Sequence, residues 1–193
     1  DKANTTALET AKDELKAEAA KENVTAGKTP ATAEKYDAAK AAADQAVKEA
    51  ETVIGNPDAT SEEVATALAN VNAKKSALAD AKSALVEAAT AEQKATLAED
   101  ASKLVEASKD GKTPSSIAAY EAKIRDLTAE LEAAKAAAEA VKTAGENASK
   151  ADAIAAQAKV NDMKAKLAEA ATLLKDKANT TALETAKDEL KAE

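Results

Sequence analysis

The sequence predicts an all-α protein: tandem three-helix bundles that share long continuous helices and extend into a rod. Three observations carry that expectation. Ala supplies 57 of the 193 residues, and Lys, Glu and Leu, also strong helix formers, supply much of the rest. All four glycines and all three prolines fall at four places. Residues 1–18, DKANTTALETAKDELKAE, return without a substitution as residues 176–193, which marks an internal repeat.

Strands are disfavoured because β-branched and aromatic residues are scarce. Most apolar positions are Ala methyl groups. At ~25 cal/mol per Å² they bury little each, so the core must be thin and the backbones close.

Gly closes helices and Pro opens them. The breaks at Gly27 with Pro30, Gly55 with Pro57, Gly111 with Pro114, and Gly145 divide the chain into helices near 2–25, 30–54, 60–109, 114–144 and 148–192. The second and fourth start alike: Thr29 and Thr113 are expected N-caps, with Pro30 and Pro114 at the first helical position. Their apolar stripes recur at spacings of three and four, through Tyr36, Ala43 and Val47 in one and Tyr120, Ile124, Leu127 and Leu131 in the other.

The third helix opens on a capping box, Thr60 with Glu63. Its heptad row, Val64, Val71, Leu78 and Leu85, changes phase before Leu97 and Leu104. The last helix, opened by a weaker Ser149–Asp152 pair, repeats the pattern. Val160, Leu167 and Leu174 form one row, and Leu183 and Leu190 resume out of phase. No Gly or Pro interrupts either stretch, so each is expected to be one helix shared by successive bundles.

Lys28-Thr29-Pro30 and Tyr36 align with Lys112-Thr113-Pro114 and Tyr120 at an offset of 84, and Val71-Asn72 and Leu78 with Val160-Asn161 and Leu167 at 89. The expected organisation is a three-helix module at 1–86, a diverged one at 87–175, and at 176–193 the first helix of a further copy.

Little chemistry is on offer. With no His or Cys the chain lacks the commonest general base, a thiol nucleophile and thiolate metal ligands. No catalytic, cofactor-binding or metal residues are expected, and no small-molecule substrate. The Gly-Lys-Thr at 111–113 has Glu106 where a phosphate loop needs its first glycine. A net charge of −8 argues against nucleic acid, and no apolar run is long enough for a membrane span. The residues singled out are structural: Tyr36, Tyr120, Gly27, Pro30, Gly55, Pro57, Gly111, Pro114, Gly145, Thr60 and Glu63. Each Tyr is read as a plug closing the end of an Ala-thin bundle, its hydroxyl in water.

Residues 29–78 resemble the FIVAR module. The Thr-Pro opening, Tyr36 and the passage NPDATSEEVATAL at 56–68 carry the resemblance. The second module keeps TPSSIAAY at 113–120 but has GENASKADAI at 145–154 where NPDAT belongs. The resemblance implies three-helix repeats in an elongated spectrin-like rod, from a secreted, wall-anchored surface protein of a Gram-positive bacterium. The implied role is a stalk that projects an adhesin's binding domain. The alternative is a module whose exposed helix faces bind a host matrix protein. The partners implied are that host protein or neighbouring rods.

Overall fold

The computed structural model describes residues 3–192. Among them the chain forms seven α-helices and no strand beyond isolated bridges, so the fold is all-α. The helices are α1 Thr6–Ala19, α2 Pro30–Gly55, α3 Ser61–Ser83, α4 Ala91–Ser102, α5 Pro114–Ala144, α6 Lys150–Ala171 and α7 Thr181–Ala192. A 3-10 turn, Gly145–Asn147, follows α5.

The chain divides into two compact units. The first holds α1, α2 and α3 together with the turn Ala144–Ala151. Leu8 and Leu15 of α1 are buried with Tyr36, Ala43, Val47 and Ala50 of α2 and Val64, Val71 and Leu78 of α3. The spacing of seven between the α3 residues keeps them on one side of the helix. Burying a Leu or Val stabilises by about 1.5–3 kcal/mol, and the Ala between them lets the helices approach. Ion pairs rim α1: Lys16 Nζ lies 3.0 Å from Glu51, Lys82 lies 2.8 Å from Glu18, and Lys75 bonds to Glu14. Such exposed pairs contribute at most about 1 kcal/mol each. They set register more than stability.

The second unit holds α4, most of α5 and α6, and α7. Leu97 of α4 and Leu104 beyond it are buried, as are Tyr120, Ile124, Leu127 and Leu131 of α5 and Val160, Met163 and Leu167 of α6. Asp100 joins α4 to α6, accepting from Lys164 Nζ at 2.6 Å and Gln157 Nε2 at 2.7 Å. Helix α7 buries no side chain.

Neither long helix is continuous. The stretch expected as 60–109 is α3 and α4, separated by Ala84–Thr90. The stretch expected as 148–192 is α6 and α7, separated at 172–180. In both breaks the backbone leaves the helix to hydrogen-bond another segment, with no Gly or Pro required. Thr90 then restarts the chain with its own capping box: Gln93 N donates to Thr90 Oγ1 at 3.1 Å, and Thr90 N donates to Gln93 Oε1 at 3.0 Å. The phase changes in the apolar rows are these breaks. Helix α1 also ends at Ala19, not near 25. Asn23 (φ 59°) and Gly27 (φ 68°) hold left-handed conformations in the connection that follows.

Candidate functional site

The residues singled out in the sequence gather at three kinds of place rather than in one cleft.

The first is a backbone clamp that occurs once in each unit. In the first unit Thr29 N donates to Val86 O at 2.8 Å and Ala88 N donates to Gly27 O at 2.9 Å. In the second, Thr113 N donates to Lys175 O at 2.8 Å and Lys177 N to Gly111 O at 2.9 Å. Each clamp ties the start of the unit's second helix to the chain leaving its third. Gly27 and Gly111, at φ 68° and 70°, are clamp residues, not the ends of helices. The left-handed region is open to Gly but costs other L-residues, which explains the residue type. Pro30 and Pro114 follow as the first residues of α2 and α5, where a missing N–H leaves no gap in the ladder. Thr29 is the N-cap of α2 by position, but its hydroxyl makes no cap bond. It pairs with the Thr32 hydroxyl at 2.8 Å, as Thr113 pairs with Ser116 at 2.9 Å.

Sequence reading missed the clamp's other half. Val86–Ala88 and Lys175–Lys177 are alike only in their central acid: Asp176 accepts from Lys112 Nζ at 2.6 Å and Glu87 from Lys150 Nζ at 3.1 Å, while the clamp bonds themselves use backbone groups. The signal that was present is the capping box at Thr90, which fits the Ser/Thr-x-x-Glu/Gln pattern and so places a helix start there. Within the first unit, the neighbouring residues continue the pairing: Ala89 N donates to Ala148 O at 2.8 Å, Lys150 N to Glu87 O at 2.8 Å, and Ala31 N to Asn147 Oδ1 at 2.8 Å.

The second place is the α2–α3 turn. Gly55 is the last residue of α2, Asn56 caps it, and Pro57 lies in the turn. Thr60 and Glu63 then form a reciprocal capping box. Glu63 N donates to Thr60 Oγ1 at 3.2 Å, and Thr60 N donates to Glu63 Oε2 at 2.8 Å. These bonds, the backbone one first, hold the Glu63 carboxyl below its usual range. Gly145 has the corresponding place after α5, at φ 59°.

The third is the pair of tyrosines. Both are buried, and neither hydroxyl is in water, which corrects the expectation for each. Tyr120 Oη accepts from Ala107 N at 2.8 Å. Tyr36 Oη is buried without a protein hydrogen-bond partner. The physical reason lies in the preceding connection. Gly111 follows Leu104 by seven positions, whereas Gly27 follows Leu15 by twelve. The segment over Tyr36 therefore takes another path, with left-handed Asn23 standing where Ala107 stands relative to its Tyr.

Among the described residues no group of three or more Asp, Glu, His or Cys side chains is placed to hold a metal ion, and no helix is long and apolar enough to cross a membrane. A surface hollow lined by Glu92, Gln93, Thr96, Ala153, Ile154 and Gln157 is mainly apolar.

Residues 11–79 match the FIVAR domain. The match covers all of α2 and α3 apart from the last turn of α3, and about the last two thirds of α1. The FIVAR segment thus includes the first clamp's Gly27 and Thr29, Tyr36 and the Thr60–Glu63 box. One solved structure is similar over 86% of this chain and 98% of its own length, at 24% identity and a TM-score of 0.33. It is described as "Characterization of extracellular matrix binding protein- (Embp)-mediated Staphylococcus epidermidis adherence to fibronectin". No curated protein matches the chain.

Proposed function

We propose that this chain is a stalk segment of a Gram-positive bacterial surface adhesin, a spacer that projects a terminal binding domain from the cell wall. In this reading residues 1–86 and 87–175 are successive three-helix modules, the first of them the FIVAR one, and 176–193 open a further copy. The chain is not an enzyme and acts outside the cell. One observation carries the proposal: the clamp recurs with equivalent backbone donors, acceptors and distances in both units, from segments whose side chains are alike only in a central acid, Glu87 or Asp176. A spacer needs each module closed in the same way and little else kept. The FIVAR match supports the surface setting.

Small-angle scattering tests the rod. A bundle helix of about 25 residues is ~38 Å long, so two modules in line span roughly 75 Å, and an extended last helix adds up to ~27 Å. A radius of gyration near ~16 Å, the value for a compact domain of this length, overturns the stalk.

The second reading is a module that binds a host matrix protein through its helix faces. Ile154, 54% exposed beside the apolar hollow in the second unit, favours it. Saturable binding to immobilised matrix protein, lost on Ile154→Asp, would put this reading first.

A further inference from the structure

The first unit does not end where its three helices end. It includes the turn at 144–151, far beyond α3 in the chain and outside the segment that matches FIVAR. The bonds at the start of α2 show what that turn supplies. Of the first four helical positions, Pro30 has no N–H to place. Thr32 N and Ala33 N donate to Thr29 O at 3.1 and 2.9 Å. Ala31 N is the donor left over, and it donates to Asn147 Oδ1 at 2.8 Å. Thr29 stands at the N-cap position, but its hydroxyl bonds to Thr32 and makes no cap bond. A cap works by offering an Asn, Asp, Ser or Thr oxygen to the second or third helical N–H. Ala31 is the second helical residue, and Asn147 makes that offer from 116 residues away.

The same turn holds the segment that leaves α3. Val86 O accepts from Thr29 N, and Ala88 N donates to Gly27 O. The intervening groups turn the other way: Glu87 O accepts from Lys150 N, and Ala89 N donates to Ala148 O. All four bonds are 2.8–2.9 Å long. Alternate residues thus face opposite neighbours, as in the middle strand of a sheet. Lys150 Nζ adds an ion pair to Glu87 at 3.1 Å, and Ala89 and Ala148 are both buried.

We propose that the turn at 144–151 is a latch on the FIVAR bundle: Asn147 caps α2, and Ala148–Lys150 hold the exit segment against the clamp. The stability of the bundle is then set in part by residues outside the family's segment. A latch of this kind serves a stalk or a binding module alike.

Native-state hydrogen exchange on the full chain tests it, read at the amides of Val71 in the first unit and Val160 in the second, both fully buried. Asn147 is exposed, so replacing it leaves the core packing alone. Asn147→Ala removes the cap and should speed exchange at Val71 about two- to thirtyfold, with a smaller change at Val160. Asn147→Asp keeps an acceptor oxygen of equal capping rank and should hold Val71 within about twofold of the unmodified chain. The proposal is overturned if Asn147→Ala leaves Val71 unchanged, because the residue would then serve only its own turn. Equal acceleration at both amides overturns it too, since the loss would not belong to α2. So does an Asn147→Asp chain whose Val71 exchanges as fast as in Asn147→Ala, because the side-chain oxygen would not be what holds the helix.

Discussion

The two tyrosines make opposite predictions from one chemical change, loss of the phenolic oxygen. Tyr120 Oη accepts from the backbone N–H of half-buried Ala107 at 2.8 Å. Tyr120→Phe removes that bond and strands the donor, so the second unit should lose about 1–2 kcal/mol. Tyr36 Oη is buried without a protein partner. Tyr36→Phe removes a polar atom already stripped of water, so the first unit should keep its stability or gain up to ~1 kcal/mol. Ring packing is retained in both variants. Native-state hydrogen exchange reads each unit separately, through the amides of Val71 and Val160, both fully buried. Every ~1.4 kcal/mol is tenfold in opening. Tyr120→Phe should speed the Val160 amide about five- to thirtyfold and leave Val71 unchanged. Tyr36→Phe should leave Val71 unchanged or slow it. A Tyr36→Phe protein that exchanges tenfold faster at Val71 would refute the reasoning, since the hydroxyl would then be held by a group that stabilises it. So would a Tyr120→Phe protein with no change at Val160.

Thr60→Ala should cost the first unit about 1 kcal/mol by opening the α3 capping box, seen as a lower urea midpoint with unchanged slope. Gly27→Ala should cost about 1–2 kcal/mol, because φ is 68°. Nothing lies within 4 Å of the added methyl, so Gly27→Asn, which tolerates that conformation, should cost less in the same titration. The Lys164 ammonium, followed by Gln157, holds the Asp100 carboxyl below its ordinary 3.8. A depressed folded value adds stability that is present above 3.8 and lost as pH falls through the lower one. Asp100→Asn should therefore flatten the acid limb of a melting-temperature profile below about pH 4 and leave the slope between pH 6 and 8 unchanged.

Most of the helical content was legible because it is local. Ala, Leu, Lys and Glu favour the helix wherever they stand, and Pro30, Pro114 and the Thr60–Glu63 box mark starts by chemistry within a few residues. The apolar rows through Val64, Val71 and Leu78, and through Val160 and Leu167, identified the buried sides for the same reason. Of the breaks at Ala84–Thr90 and 172–180, only the first carried a signal, the Thr90–Gln93 capping box at which the chain restarts. There the chain gives up helical bonds for backbone bonds to Gly27, Thr29, Gly111 and Thr113, and a backbone bond leaves no residue type to read. The state of the tyrosine hydroxyls was equally hidden, because it depends on how the connections from Leu15 to Gly27 and from Leu104 to Gly111 lie over the rings.

The duplicated eighteen residues separate the two contributions. Both copies are helices that start with the same Asn and Thr side-chain bonds, so the sequence by itself determined helix, start and apolar side. Only the tertiary structure decided that Leu8 and Leu15 are buried while Leu183 and Leu190 face solvent. Caps and backbone ladders close over three or four residues and travel with the sequence. Removing a side chain from water takes a second surface, and within the described residues α1 has one in α2 and α3 while α7 buries no side chain.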